Sequence, residues 1–149
     1  MDSVVTDMGA DGAVGSTASS WRHVGQVWAA LSSATWRNEV DPLLDPAKHC
    51  ITVGPFRMMA RTDARFELLP GSNRLTMMFE NLSLGNRREV YLGRTGHSQK
   101  VEGTFLGDAI GRWEGDTLVI DSTGFNDMTW LNDAGAPHST SLHLVERIR

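Results

Sequence analysis

From Ser19 or Ser20 onward, Trp21, Val24, Trp28 and Leu31 recur at three- and four-residue steps, the spacing that lays apolar side chains along one stripe of a helix. The pattern predicts a helix over residues 19–33. Beyond Pro42 and Pro46 the rhythm changes to short apolar runs divided by turn residues, at 51–53, 66–69, 75–80, 89–92, 103–105, 111–113, 117–120 and 141–148. Seven or eight short strands after one helix make the chain mainly β. The expected architecture is a small antiparallel β-barrel of lipocalin-like build with one N-terminal helix, and the alternative is an α+β cone-shaped barrel. Residues 1–18 are rich in Gly, Ala, Ser and Asp and hold no aromatic. They read as an arm, flexible or pinned against the body or a partner subunit, ahead of a single domain at 19–149.

Alternation within the strands says which side chains share an interior. In one strand Leu75, Met77 and Phe79 oppose Thr76, Met78 and Glu80; in the last, Leu142, Leu144, Glu146 and Ile148 oppose Ser141, His143, Val145 and Arg147. Glu146 and Arg147 therefore point to opposite faces and are not each other's partner. Both faces are mixed, as in a sheet wrapped round a ligand cavity or in one covered by a helix and a dimer partner. The cavity is the favoured reading.

The 149 residues suffice for one compact core without disulfides or metals. A net charge of −4, with Lys48 and Lys100 the only lysines, argues against nucleic-acid and anionic-membrane partners. The single cysteine, Cys50, cannot form an internal disulfide and fits a reducing, cytoplasmic compartment. No apolar run is long enough to span a bilayer. A homodimer is expected, with the arm or helix covering a neighbour's exposed edge.

Uncommon residues crowd into 110–147. Gly111-Arg112-Trp113 and Thr117-Leu118-Val119-Ile120 flank Glu114-Gly115-Asp116, which reads as a tight hairpin. Asp121-Ser122-Thr123-Gly124 and Asn132-Asp133-Ala134-Gly135 are turn punctuation, leaving a loop at 125–131 that carries Phe125 and Trp130. The stretch resembles a large, mostly uncharacterised bacterial family. Its members carry the tryptophan-glutamate-glycine-aspartate-threonine-leucine motif found here at 113–118, the Gly124-Phe125-Asn126-Asp127 step, Pro137-His138-Ser139 and Glu146-Arg147. The resemblance extends upstream to Cys50, Gly54-Pro55-Phe56-Arg57, Arg88-Glu89-Val90-Tyr91, Gly93-Arg94 and His97, so it covers roughly the last two thirds of the chain. It implies a β-rich fold and names no reaction.

The chain departs from these relatives. They usually place an aspartate before the glycine-arginine pair, where Leu92 abuts Gly93 here. Many carry a signal peptide, whereas residues 1–20 lack a basic and an apolar region, and many continue past the glutamate-arginine pair. The expectation is a shortened, intracellular relative recruited to a particular pathway.

Glu80, Arg88, Tyr91, Arg94, His97, Asp121, His138, His143 and Glu146 are the ionisable candidates. As catalytic residues we expect His138, Glu80, Asp121, Arg88 and Tyr91. His138 would serve as general acid or base, because imidazole titrates near neutrality. Glu80 and Asp121 would share an apolar cavity with His138 that raises the pKa of at least one of the two carboxyls, and Arg88 or Tyr91 would hold a substrate oxygen. Trp113, Phe125, Trp130, Met78, Arg94 and His97 are the expected substrate-binding set, with Met adapting to irregular ligands. Each residue also has a structural reading, as a turn, a cap, a cross-brace or ordinary core.

The histidines at 23, 49, 97, 138 and 143 lack metal-ligand spacing. Gly93-Arg94-Thr95-Gly96 and Gly9-Ala10-Asp11-Gly12 lack the lysine and helix start of a phosphate cradle, and Gly71-Ser72 lacks the second glycine of a nucleophile elbow. The chemistry left is proton transfer, hydration or dehydration, or cyclisation. The expected activity is a cofactor-independent lyase or isomerase acting on a hydrophobic, oxygenated small molecule. A non-catalytic carrier and an interaction subunit are the alternatives.

Overall fold

The computed structural model describes residues 3–8, 41–60, 65–80, 87–98 and 103–149. The expected helix at 19–33 lies outside the described residues. Strand β1 (Ser3–Met8) is followed by two 3-10 turns (Pro42–Leu44 and Pro46–His49) and a short helix α1 (Pro55–Ala60). Six further strands follow: β2 (Phe66–Pro70), β3 (Arg74–Phe79), β4 (Arg87–Leu92), β5 (Asp108–Glu114), β6 (Thr117–Thr123) and β7 (His143–Ile148). They form one seven-stranded sheet in the order β1-β7-β6-β5-β4-β3-β2.

The chain is mainly β, as its apolar rhythm predicts, but the sheet is mixed rather than antiparallel. Consecutive strands close in sequence pair antiparallel, as β2/β3, β3/β4 and β5/β6 do. β5 runs in the same direction as β4, so this pair is parallel, with Val90 opposite Ala109. β1 also lies parallel to β7, with Ser3 opposite His143. Residues 3–8 of the arm are thus a strand of their own sheet. The order starts at β1 and ends at β2, and no pairing joins these two among the described residues, so the sheet is open there.

Two other runs differ from expectation. Residues 51–54 are not a strand, because Gly54 turns the chain at φ +76 and Pro55, preset for the first helical position, starts α1. The 103–105 run is reduced to an isolated bridge between Thr104 and Phe125.

Alternation gives the sheet an inner and an outer face. Leu75, Met77, Phe79, Val90, Ala109, Leu118 and Ile120 face inward and pack with Met58 and Met59 of α1. A second cluster gathers Phe56, Phe125, Leu131, Ala136, Leu142 and Leu144. Helix α1 serves both clusters, and each buried Met or Phe contributes roughly 1.5–3 kcal/mol of transfer free energy. It is tied down by Arg57, buried between Asp45 (2.7 Å) and Asp133 (2.6 Å). Asp45 also caps the second 3-10 turn by accepting from the Ala47 amide. No helix among the described residues is long and apolar enough to cross a membrane.

Candidate functional site

The residues with catalytic chemistry separate onto the two faces. On β6, Leu118, Ile120 and Ser122 are buried inward, which turns Asp121 to the outer face. Antiparallel register sets Asp121 opposite Val145, so His143, two positions earlier on β7, lies diagonally beside it on the same face. The segment after β4 leaves the sheet at Gly93 (φ +80) and brings His97 back over Asp121.

One oxygen organises the cluster. Asp121 Oδ1 lies 2.9 Å from His97 Nε2 and 2.9 Å from His143 Nε2. Partial burial pushes the Asp121 carboxyl up, but the hydrogen bonds and charges of the two imidazoles outweigh it and hold the group below its ordinary value of 3.8. An ionised carboxylate only accepts, so each ring donates through Nε2 and carries its lone pair, when neutral, on Nδ1.

The two rings then differ in what Nδ1 meets. His97 Nδ1 is buried without a hydrogen bond and lies 3.5 Å from Asp108 Oδ2. Asp108, the first residue of β5, also accepts from Arg94 Nη1 and from the Ser98 amide, each at 2.9 Å, and so fastens the 93–98 segment. The Arg94 guanidinium lies 4.0 Å above the Tyr91 ring. His143 Nδ1, by contrast, has no partner among the described residues, and its side chain is 36% exposed. The outer face therefore carries a continuous row, Arg94, Asp108, His97, Asp121 and His143, alternating basic and acidic. Among the described residues no group of three such side chains is arranged to hold a metal ion.

Tyr91, Arg94, His97 and Asp121, four of the residues expected from sequence, belong to this row or lie against it. Among the described residues no shared cavity joins Glu80, Asp121 and His138, and of the two carboxyls that of Asp121 is lowered. Glu80 is exposed just past the end of β3. His138 sits in the loop over the second apolar cluster with both nitrogens engaged: Nδ1 donates to the Ser139 carbonyl (3.1 Å) and Nε2 accepts from Thr129 Oγ1 (2.8 Å). The Phe125 ring meets it edge-on. The cavity beside it, lined by Gly54, Phe56, Phe125, Thr129 and Trp130, measures about 10 Å³, room for about one water and too little for a substrate. Phe125 and Trp130 are thus wall residues of a packed loop.

Arg88 faces inward, fully buried, with its terminal nitrogens committed to Glu146 and Ser122. It braces the sheet and holds no substrate oxygen. Trp113 stands 58% exposed on the β5–β6 hairpin instead of lining a cavity. Met78 is half-buried on β3, opposite Arg87. Asp108 was not singled out by sequence reasoning, since a lone aspartate ahead of a short strand carries no signal. His143 is recognisable as ionisable, but its place beside Asp121 depends on the β6/β7 register. Comparison with known protein families, curated proteins and solved structures finds no match to this chain.

Proposed function

We propose that the chain is a cofactor-independent lyase or isomerase that moves a proton on a small, hydrophobic, oxygenated molecule laid against the outer face of the sheet. The observation that carries this reading is the shared oxygen of Asp121, which orients His143 through Nε2 and leaves its Nδ1 open. A carboxylate behind an imidazole fixes the tautomer and stabilises the imidazolium formed when the ring takes a proton.

In the elimination form of the reaction His143 Nδ1 removes a hydrogen next to a carbonyl, the C–H electron pair becomes a double bond, and the C–O bond to a β-hydroxyl breaks. The proton on Nδ1 then goes to the departing oxygen, which leaves as water. In the isomerisation form the same proton returns to a different carbon. His143 alone handles the proton in both forms, while His97, flanked by Asp108 and Asp121, keeps the carboxylate in place.

The ring-opening elimination of 5-nitrobenzisoxazole, a neutral substrate that reports any positioned base through its coloured phenolate, tests the reading. The parent is expected to exceed free imidazole at equal concentration, and His143→Gln and Asp121→Asn to lose about a hundredfold or more. A parent rate no higher than imidazole, or one unchanged in His143→Gln, overturns it.

A further inference from the structure

Arg94 is held in a way that a surface arginine seldom is. Its plane rests on Tyr91 at 4.0 Å, and Nη1 is fixed by Asp108 Oδ1 at 2.9 Å, so the guanidinium has little freedom to turn. Among the described residues, Nε and Nη2 have no partner, and the side chain is 41% exposed. These two donors make up the side-on edge of the guanidinium, the edge that matches the two oxygens of a carboxylate. A preorganised fork with one edge anchored and the other open presents an anion site at little further ordering cost.

Its place in the row defines what would bind. Arg94 stands at one end and His143 at the other, with Asp108, His97 and Asp121 between them; the unbonded Nδ1 of His97 is buried, so among the described residues of the row the two ends offer accessible unengaged nitrogen to a ligand. The intervening carboxylates are each already paired with cationic or donor groups and repel a second anion placed over them. We infer that Arg94, stacked on Tyr91, anchors a carboxylate that the substrate carries at the end remote from the carbon that loses its proton. The substrate class is thereby narrowed to organic acids whose carboxylate lies away from the reacting carbon. Tyr91 acts as the plate beneath the anchor and Asp108 as its positioning residue. The role of His143 in this picture rests on the proton-transfer reading above, whereas the anion site stands on the geometry of Arg94.

The test uses the full chain with 4-phenylbutyrate and its neutral isostere 4-phenylbutanamide, followed by proton–nitrogen NMR of the Arg94 Nε–H and the His143 ring. The acid is expected to shift the Arg94 Nε–H saturably and to bind at least about tenfold tighter than the amide. Arg94→Gln should bring the acid down to the level of the amide, and Arg94→Lys, which keeps the charge and loses the fork, should fall between. Equal affinity for acid and amide, no saturable shift with the acid, or tight acid binding that survives in a folded Arg94→Gln protein overturns the proposal. Acid binding at Arg94 together with an elimination rate indifferent to His143→Gln removes the catalytic reading and leaves the anion site in place.

Discussion

Arg88 on β4 grips Glu146 on β7 across two intervening strands, with Nη1 3.0 Å from Oε1 and Nη2 2.5 Å from Oε2. The reach is possible because the buried β5 positions on that face are Ala109 and Gly111, so the guanidinium passes over β5 and meets Ser122 of β6 on the way, at 2.8 Å. Both charged side chains are 1% exposed. Such a pair gives modest net stability when whole and is costly when halved. Arg88→Met should lower unfolding free energy by about 3–5 kcal/mol in urea titration, because Glu146 is left charged and unpaired. The double variant Arg88→Met with Glu146→Leu should recover most of that loss.

Asp121 links stability to pH with a definite sign. Its folded-state carboxyl titrates below 3.8, its ordinary value, so its stabilisation is present above that pH and disappears as pH falls through the lower folded value. Asp45, held down chiefly by its hydrogen bond to Arg57, has the same sign. Asp121→Asn and Asp45→Asn should therefore be less stable than the parent at pH 6, and the difference should close as the solution is taken well below pH 4. Thermal unfolding followed across that range would decide; a gap that widens in acid contradicts the assignment.

His138 in its loop and His143 on β7 should separate cleanly on substitution. His138→Gln loses the bond to Thr129 and the packing on Phe125, so a stability loss of about 1 kcal/mol is expected with the elimination rate unaltered. His143→Gln should lose the elimination rate and cost little stability, because the glutamine amide can still donate to Asp121. Measuring both quantities on both proteins distinguishes loop packing from chemistry.

Two glycines with positive φ give a graded backbone test. A Cβ on Gly107 (φ +70) would sit 2.8 Å from the Phe125 ring and 2.8 Å from the Thr123 carbonyl oxygen, and that backbone atom cannot step aside. Gly93 (φ +80) faces open space. Gly107→Ala should cost at least about 2 kcal/mol, combining backbone strain with overpacking, and Gly93→Ala about 1 kcal/mol. Equal losses would mean that contact at Phe125 is not what fixes Gly107.

The strands were legible because alternation is local. The positions 75, 77 and 79 are inward as their pattern says, and Glu146 and Arg147 diverge to separate partners, Arg88 and Glu114. What alternation cannot convey is which strands become neighbours and in which direction. The parallel β4/β5 pair and the diagonal meeting of Asp121 with His143 depend on strand direction and on register, information spread over residues far apart in the chain. The same gap explains why Asp121 and His138 were grouped: both lie in one dense stretch of sequence, yet one belongs to a strand face and the other to a loop over a separate cluster. Arg88 was recognised as important, but whether an inward arginine meets substrate or a buried glutamate depends on a strand three places along the sheet order.

The pairing of β1 with β7 has a consequence for how the molecule is made. Ser3 finds its hydrogen-bonding register against His143, so β1 has no template until β7, far along the chain, has been synthesised. The intervening hairpins, β2/β3 and β5/β6, involve close sequence neighbours and can assemble during translation, while β1 waits as an unpaired edge. Among the described strands β1 on β7 is the pairing of greatest sequence separation, so it carries the largest loop-closure cost, and until it forms the β7 edge is open to mispairing with another copy of the chain.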